Sequence, residues 1–185
     1  MNARRRSLMI AASGLLAGCA LPPRPSQLLA HVPEPFALRL SPASLGRELA
    51  LQQRMTLSVF GHVQQMELAL EADAQAVRLA VLAFGQTLAR LEWDGRELKE
   101  SRAPGFPAAV SGARVLGDVQ LVHWPVDAIR AGLPPGLNLQ AEGDTRVLLA
   151  GSAPLARVRY PGPGVAELEN VAGHYRLRLE SVELT

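Results

Sequence analysis

The 185-residue sequence predicts a mainly β (α+β) fold, in which a curved antiparallel half-barrel carries a short helical lid inserted between its strands. The first observation is a series of segments in which apolar and polar residues alternate with the period of two of half-buried strands. The second is one interruption, residues 113–133, where the apolar spacing is helical. Because roughly nine amphipathic strands expose a wide apolar face, we expect the sheet to curl and the insert to cover its open side.

Residues 1–18 have the parts of a secretory signal: a basic start at Arg4 to Arg6, a short apolar run and small residues before a cut. The run ends in Leu16-Ala17-Gly18-Cys19, which matches the bacterial lipobox and predicts cleavage after Gly18 and lipidation of Cys19. A protein that carries several acyl chains is stably attached to a membrane. An ordinary secretory signal with a chance cysteine is the alternative.

Residues 19–47 are predicted to be a proline-rich tether, and residues 48–185 a single folded domain. When Arg4 to Arg6 are removed with the predicted signal, the chain has 16 Lys and Arg and 17 Asp and Glu. No basic patch therefore indicates a nucleic acid partner. The sequence holds no second apolar run of the roughly 20 residues that a membrane span needs. Acylation of the single cysteine would leave no thiol for a disulfide.

The first five strands are predicted at residues 48–59, 64–71, 77–82, 87–93 and 97–102, where apolar and polar residues alternate. Gln53 is the one polar residue on the apolar side of the first strand. Gly61-His62, Gly85-Gln86 and Asp94-Gly95 are the predicted turns. Asp94-Gly95 is the strongest hairpin signal, because a type I′ turn needs positive φ at both central positions. Short turns predict an antiparallel meander.

The insert predicts two helices. The first is expected to start after Ser111 as its N-cap and to end before Pro125, and its apolar stripe is Val115, Leu116, Val119 and Val122. A second, short helix carries Val126, Ile129 and Leu133. Strands then resume at residues 137–139, 146–150, 155–160, 166–171 and 175–184. In the last strand the alternation changes phase near Ser181, which predicts a β-bulge.

Sheet and insert are expected to enclose an apolar space that is either a filled core or a ligand pocket. Aromatic residues are only 4% of the chain, and Leu, Val and Ala fill a wide curved sheet less completely than aromatic side chains, which favours a pocket. Asp118 and Arg146 are the candidate polar residues at its mouth, where they either pair with each other or contact a ligand head group. The candidate lining residues are Leu57, Val59, Met66, Leu68, Leu70, Leu91, Trp93, Leu116, Val119 and Trp124.

Catalytic chemistry has little support in the sequence. The four histidines, His31, His62, His123 and His174, have no second ligand at metal spacing, so we expect neither a metal site nor a cofactor. No Gly-x-Ser-x-Gly elbow or phosphate loop is present, which argues against an enzyme. A lipid hydrolase or acyltransferase is the less favoured alternative.

One stretch carries a family resemblance: Val115 to Leu121 followed by Trp124-Pro125, together with Arg146, Tyr160, Leu168, Asn170 and Tyr175. The chain resembles a family of outer-membrane lipoproteins associated with aryl polyene biosynthesis, within the LolA/LolB-like fold of periplasmic lipoprotein carriers. The resemblance spans most of the chain after Cys19 and implies an apolar cavity that receives acyl chains. Ala20 after Cys19 implies the outer membrane of a Gram-negative cell, on its periplasmic face. No clear counterpart of the protruding apolar loop of LolB is found.

The expected function is therefore binding of a lipid or acyl chain, in support of lipid, lipoprotein or polyene-lipid trafficking to the outer membrane. The expected partners are the membrane, through the N-terminal lipid anchor, the lipid ligand itself, and a periplasmic carrier protein. We expect a monomer and no nucleic acid partner. The alternative is a scaffold or assembly lipoprotein whose interior is filled and which acts through its surface.

Overall fold

The computed structural model describes residues 37–104 and 110–184. The predicted signal peptide, Cys19 and most of the predicted tether lie outside the described residues.

Ten strands of the described chain form one open, curved antiparallel sheet. The meander β1 to β5 is joined to the meander β6 to β10 through the pairing of β1 with β10, so β5 and β6 are the sheet edges. This arrangement confirms the predicted fold class. The strands are β1 Leu49–Val59, β2 His62–Ala72, β3 Val77–Ala83, β4 Gln86–Trp93, β5 Leu98–Arg102, β6 Leu137–Glu142, β7 Thr145–Ala150, β8 Ala153–Gly162, β9 Val165–Asn170 and β10 Tyr175–Glu183.

The insert between β5 and β6 forms two helices in the described chain, α1 (Gly112–His123) and α2 (Val126–Gly132). The Ser111 hydroxyl caps α1 by accepting a hydrogen bond from the Arg114 amide, and Pro125 follows the helix, as predicted. The buried side of α1 joins one apolar core with the inward residues of the sheet. In the two described ranges, neither helix has the length and apolar character needed to cross a bilayer.

The described end of the predicted tether, residues 37–47, is packed against the domain. Leu38, Leu40 and Leu45 are buried, and the segment contains a short 3-10 helix, Pro42–Leu45. The Gln120 side chain of α1 accepts from the Leu40 amide and donates to the Leu40 carbonyl, each at 2.9 Å. The folded unit therefore includes residues 37–47, which precede the predicted boundary at 48, because three leucines in this segment have apolar partners.

The turn after β4 is a hairpin as predicted, but its predicted type I′ geometry is wrong. Gly95 has φ +88°, whereas Asp94 is absent from the described non-glycine residues with positive φ. The Asp94 carboxylate instead accepts from the amides of Arg96 and Glu97, each at 2.8 Å, and organises a four-residue loop. Two-residue turns with positive φ at both positions lie elsewhere, at Phe60-Gly61 and Phe84-Gly85.

The predicted bulge at Ser181 is also wrong. β1 and β10 keep one register throughout, and Ser181 faces inward directly opposite Gln53. The Gln53 amide donates to the Ser181 hydroxyl at 2.7 Å, so the two residues that break the apolar pattern on neighbouring strands bind each other. Val182 consequently points outward and is 66% exposed.

Candidate functional site

A cavity of about 790 Å³ opens between α1 and the strands β1 to β4 and β10. Its described walls are mainly leucine, valine and methionine side chains. The pairing of β1 with β10 shows how the wall residues follow one another along the cavity. Leu57 of β1 pairs with Leu177 of β10, and Met55 pairs with Leu179 further inside. A volume of this size is typical of sites that enclose a small ligand.

The structure divides the predicted lining residues into two groups. Leu57, Met66, Leu68 and Val119 lie on the cavity wall. The others do not line this cavity: Val59, Leu70, Leu91 and Leu116 are buried in the packed core. The strand residues in both groups lie on the inward face of the sheet. The alternation of apolar and polar residues therefore cannot distinguish the cavity wall from the packed core. The position of α1 and of residues 37–47 on the sheet decides which of them stay uncovered.

Trp93 and Trp124 also differ from the prediction. Both are buried, and their indole N–H groups bind the segment before β1. Trp93 donates to the Leu40 carbonyl at 2.8 Å, and Trp124 donates to the Ser44 hydroxyl at 3.0 Å. A buried indole needs such an acceptor. The two tryptophans therefore hold residues 37–47 in place and do not face the cavity.

The cavity has a polar group where Asp118 of α1 meets Tyr175 of β10. The Tyr175 hydroxyl donates to Asp118 Oδ2 at 2.5 Å, and Asn170 Nδ2 lies 3.5 Å from Asp118 Oδ1. Burial raises the pKa of Asp118 to about 6, although the two hydrogen bonds and the charge of Arg114 oppose that shift. Burial, and then the neighbouring Asp118 charge, raise the pKa of Tyr175 well above its ordinary value. Asp118 and Tyr175 both line the cavity.

Arg146 does not pair with Asp118. Its Nη1 donates to the carbonyls of Leu121, Val122 and Trp124 at 3.0, 3.3 and 2.8 Å, and its guanidinium lies 5.1 Å from the Tyr160 ring centre. The last carbonyls of a helix have no partner within the helix and carry partial negative charge, which explains this position. Arg146 therefore closes the C-terminus of α1 and is not at the cavity mouth.

A second polar cluster is buried away from the cavity. Gln53 Nε2 lies 3.4 Å from His123 Nε2 and donates to Ser181, while Gln53 Oε1 has no hydrogen-bond partner among the described residues. Burial, with smaller contributions from the charges of Arg47 and Arg146, lowers the pKa of His123 to about 4. Within residues 37–104 and 110–184, no three His, Cys, Asp or Glu side chains come together in a way that could hold a metal ion.

Two aromatic side chains, which the sequence reasoning missed, project at one end of the sheet. Phe60 is 59% exposed and Phe84 fully exposed, each at the first position of a type I′ turn. Phe60 follows Val59, the residue that pairs with Tyr175, so this end of the sheet is also the polar end of the cavity. The sequence signal that could have identified them is a Phe-Gly pair at each turn, because the first position of such a turn is usually Asn or Gly. We refer to Phe60 and Phe84 as the hairpin tips.

The comparisons with known proteins concern family and fold. Among curated proteins, no match to this sequence is found. The structure is similar to the crystal structure of a LolA superfamily protein from Nitrosomonas europaea, with a TM-score of 0.41, 11% sequence identity, and coverage of 80% of this chain and 92% of that chain. A family model described as "Protein of unknown function (DUF3261)" matches residues 50–183, which is most of the chain, and the protein therefore belongs to the DUF3261 family.

Proposed function

We propose that this protein is a lipid-binding lipoprotein that takes an acyl chain into the cavity and assists its transfer to the outer membrane. The observation that carries the proposal is the open apolar cavity of about 790 Å³. Transfer of apolar surface from water contributes about 25 cal/mol per Å², so a long acyl chain that fills this space would bind measurably.

The arrangement of the cavity also suggests how a ligand would lie. Asp118 and Tyr175 are at the end that carries the hairpin tips, while Met55 and Leu179 lie further inside. An amphiphile would place its head group at the polar end and its tail against the apolar wall. The exposed hairpin tips at the same end would contact the membrane from which the chain is taken or to which it is delivered.

The finer parts of the proposal rest on the sequence. A lipid anchor at Cys19 would hold the domain on the periplasmic face of the outer membrane, and a periplasmic carrier would deliver the ligand. A polyene-lipid is the ligand class that the family resemblance suggests. We propose a monomer that binds without catalysis. The polar side chains of the described wall are Gln64, Gln65, Arg114, Asp118 and Tyr175, a set suited to hydrogen bonding with a head group.

The test is uptake of an uncharged fluorescent dodecyl probe by the chain after the predicted cut, residues 19–185 with Cys19→Ala. The two tryptophan substitutions Leu57→Trp and Leu177→Trp would fill the cavity from neighbouring strands, and together they should weaken probe binding at least tenfold. Thr56→Trp is the matched control, because Thr56 precedes Leu57 on the same strand and points to the opposite face.

Native mass spectrometry of the same protein should reveal a copurified lipid that the filled variant lacks. Equal probe binding by the filled variant and the control would place the probe outside the cavity. Absence of both a copurified lipid and probe uptake would favour the scaffold alternative.

A further inference from the structure

The described wall of the cavity is apolar except at one end, and its charged side chains there are Arg114 and Asp118. They are four residues apart on α1 and therefore lie on the same side of the helix. The charge of Arg114 stabilises the ionised form of Asp118. With Asp118 ionised, the described wall is electrically neutral as a whole.

Asp118 is held in a fixed orientation at this end. Tyr175 donates to Oδ2, Asn170 approaches Oδ1, and the Gly173 amide fixes Asn170 by donating to its Oδ1 at 2.7 Å. An ionised carboxylate has about four acceptor positions, so these two neighbours leave acceptor capacity. Part of the Asp118 surface remains accessible, and the residue lines the cavity, so a donor on a bound molecule can reach it.

We infer that Asp118 selects the head group of the ligand: it accepts a hydrogen bond from a hydroxyl or ammonium group and disfavours a singly anionic head group. This inference rests on the proposed function, because it names the ligand class of the same cavity. The preferred ligand is an acyl chain with a neutral or zwitterionic head, such as an acylglycerol or a phosphoethanolamine lipid, in preference to a free fatty acid.

The charges of the cavity wall explain why an anionic head group is disfavoured. A carboxylate or sulfonate that entered beside Asp118 would add a second negative charge to a wall whose described cation, Arg114, already balances the first. A buried charge without a partner is costly, whereas a hydroxyl that donates to an ionised carboxylate forms a strong hydrogen bond. Among the described residues, Arg114 and Tyr175 are the titratable groups that face Asp118 from its own helix and from β10.

The experiment measures displacement of the uncharged dodecyl probe by two competitors of equal chain length, 1-monolauroylglycerol and dodecanesulfonate. The sulfonate stays charged at every pH used, so a pH effect reports on the protein. At pH 7.5 the glycerol ester should bind at least tenfold more tightly than the sulfonate. At pH 5, below the raised pKa of Asp118, that ratio should fall several-fold.

Asp118→Asn should give the low ratio already at pH 7.5 and should remove its pH dependence. Asp127→Asn is the matched control, since Asp127 lies on α2 with its side chain 96% exposed, and it should behave as the wild type. The inference is overturned if Asp118→Asn keeps the wild-type ratio. It is equally overturned if the wild-type ratio does not change between pH 7.5 and 5, a measurement that needs no variant. Failure of the probe and both competitors to bind would instead overturn the proposed function.

Discussion

Asp118 and His123 lie five residues apart on α1, and their burial has opposite effects on stability as the pH changes. The pKa of Asp118 is raised from 3.8 to about 6, so its contribution to the free energy of unfolding is complete below pH 3.8 and is lost as the pH rises through 6. The pKa of His123 is lowered from 6.5 to about 4, so its contribution is complete above pH 6.5 and is lost as the pH falls toward 4. Between pH 4 and 6 the two effects oppose each other.

Single substitutions should separate these effects. We expect Asp118→Asn to lose stability relative to the wild type as the pH is lowered from 7 to 4, because the effect of His123 then acts alone. His123→Gln should gain stability over the same range. Each difference should be about 3 kcal/mol across the range, since one pKa unit corresponds to about 1.4 kcal/mol. Urea unfolding at four pH values measures it, and parallel curves for both variants and the wild type would contradict this account.

At this scale Asp118 was predictable as a polar residue of the site, and of its two predicted alternatives only the pairing with Arg146 is wrong. Asp118 pairs with Tyr175 and Arg146 with the end of α1, and these contacts join residues that are 57 and 22 to 25 positions apart. The periodicity of a helix or strand predicts contacts only between residues of the same element. It predicts nothing about residues this far apart in the sequence. Gln53 was visible as a polar residue on the apolar side of its strand. Its partner Ser181 lies 128 positions away in the sequence, and the change in alternation near Ser181 was attributed to a bulge.

The segment before β1 illustrates what one side chain contributes to the attachment of an element. Gln120 is fully buried, and it satisfies both the amide and the carbonyl of Leu40. Gln120→Leu would leave the buried Leu40 amide without this partner, so we expect a loss of about 2 kcal/mol in the free energy of unfolding. Gln52→Leu, an exposed site on β1, should change it by less than about 0.5 kcal/mol. Equal denaturant midpoints for the two variants would show that Gln120 does not hold the segment.

Elements with a strong periodic signal were predictable from the sequence, including both meanders and both helices with the Ser111 cap. Residues 37–47 were not, because the prolines before them suggest an extended tether and Leu38, Leu40 and Leu45 are too few to show a period. Missing this segment also explains the errors at Trp93 and Trp124, whose indole acceptors lie in it. The division of inward side chains into core and cavity depends on where this segment and α1 lie across the sheet.

At the scale of the whole molecule, one end of the sheet combines the polar end of the cavity with the two exposed hairpin tips. Phe60 and Phe84 have φ of 47° and 52°, a left-handed conformation that costs a residue with a side chain roughly 1 kcal/mol and that asparagine tolerates better. Phe60 is 59% exposed and Phe84 fully exposed, so burial of their side chains in the described domain offsets little of this cost. We propose that both side chains contact a surface outside the domain, and that this surface is the membrane to or from which the proposed ligand moves.

The double substitution Phe60→Asn with Phe84→Asn should therefore change stability and membrane binding in opposite directions. We expect the free energy of unfolding to rise by up to about 1 kcal/mol, because asparagine relieves the strain of both turns. Binding of the chain after the predicted cut, residues 19–185 with Cys19→Ala, to vesicles of phosphatidylethanolamine and phosphatidylglycerol should fall at least tenfold, since insertion of each phenylalanine contributes about 1.5 to 3 kcal/mol. Sedimentation with vesicles measures the binding.

Val182→Asn with Leu184→Asn is the control, because those exposed residues lie at the opposite end of β1 and β10 and should leave vesicle binding unchanged. Vesicle binding that survives loss of the hairpin tips would mean that these two side chains are not the membrane contact, and the proposed membrane-facing role of this end of the sheet would be wrong.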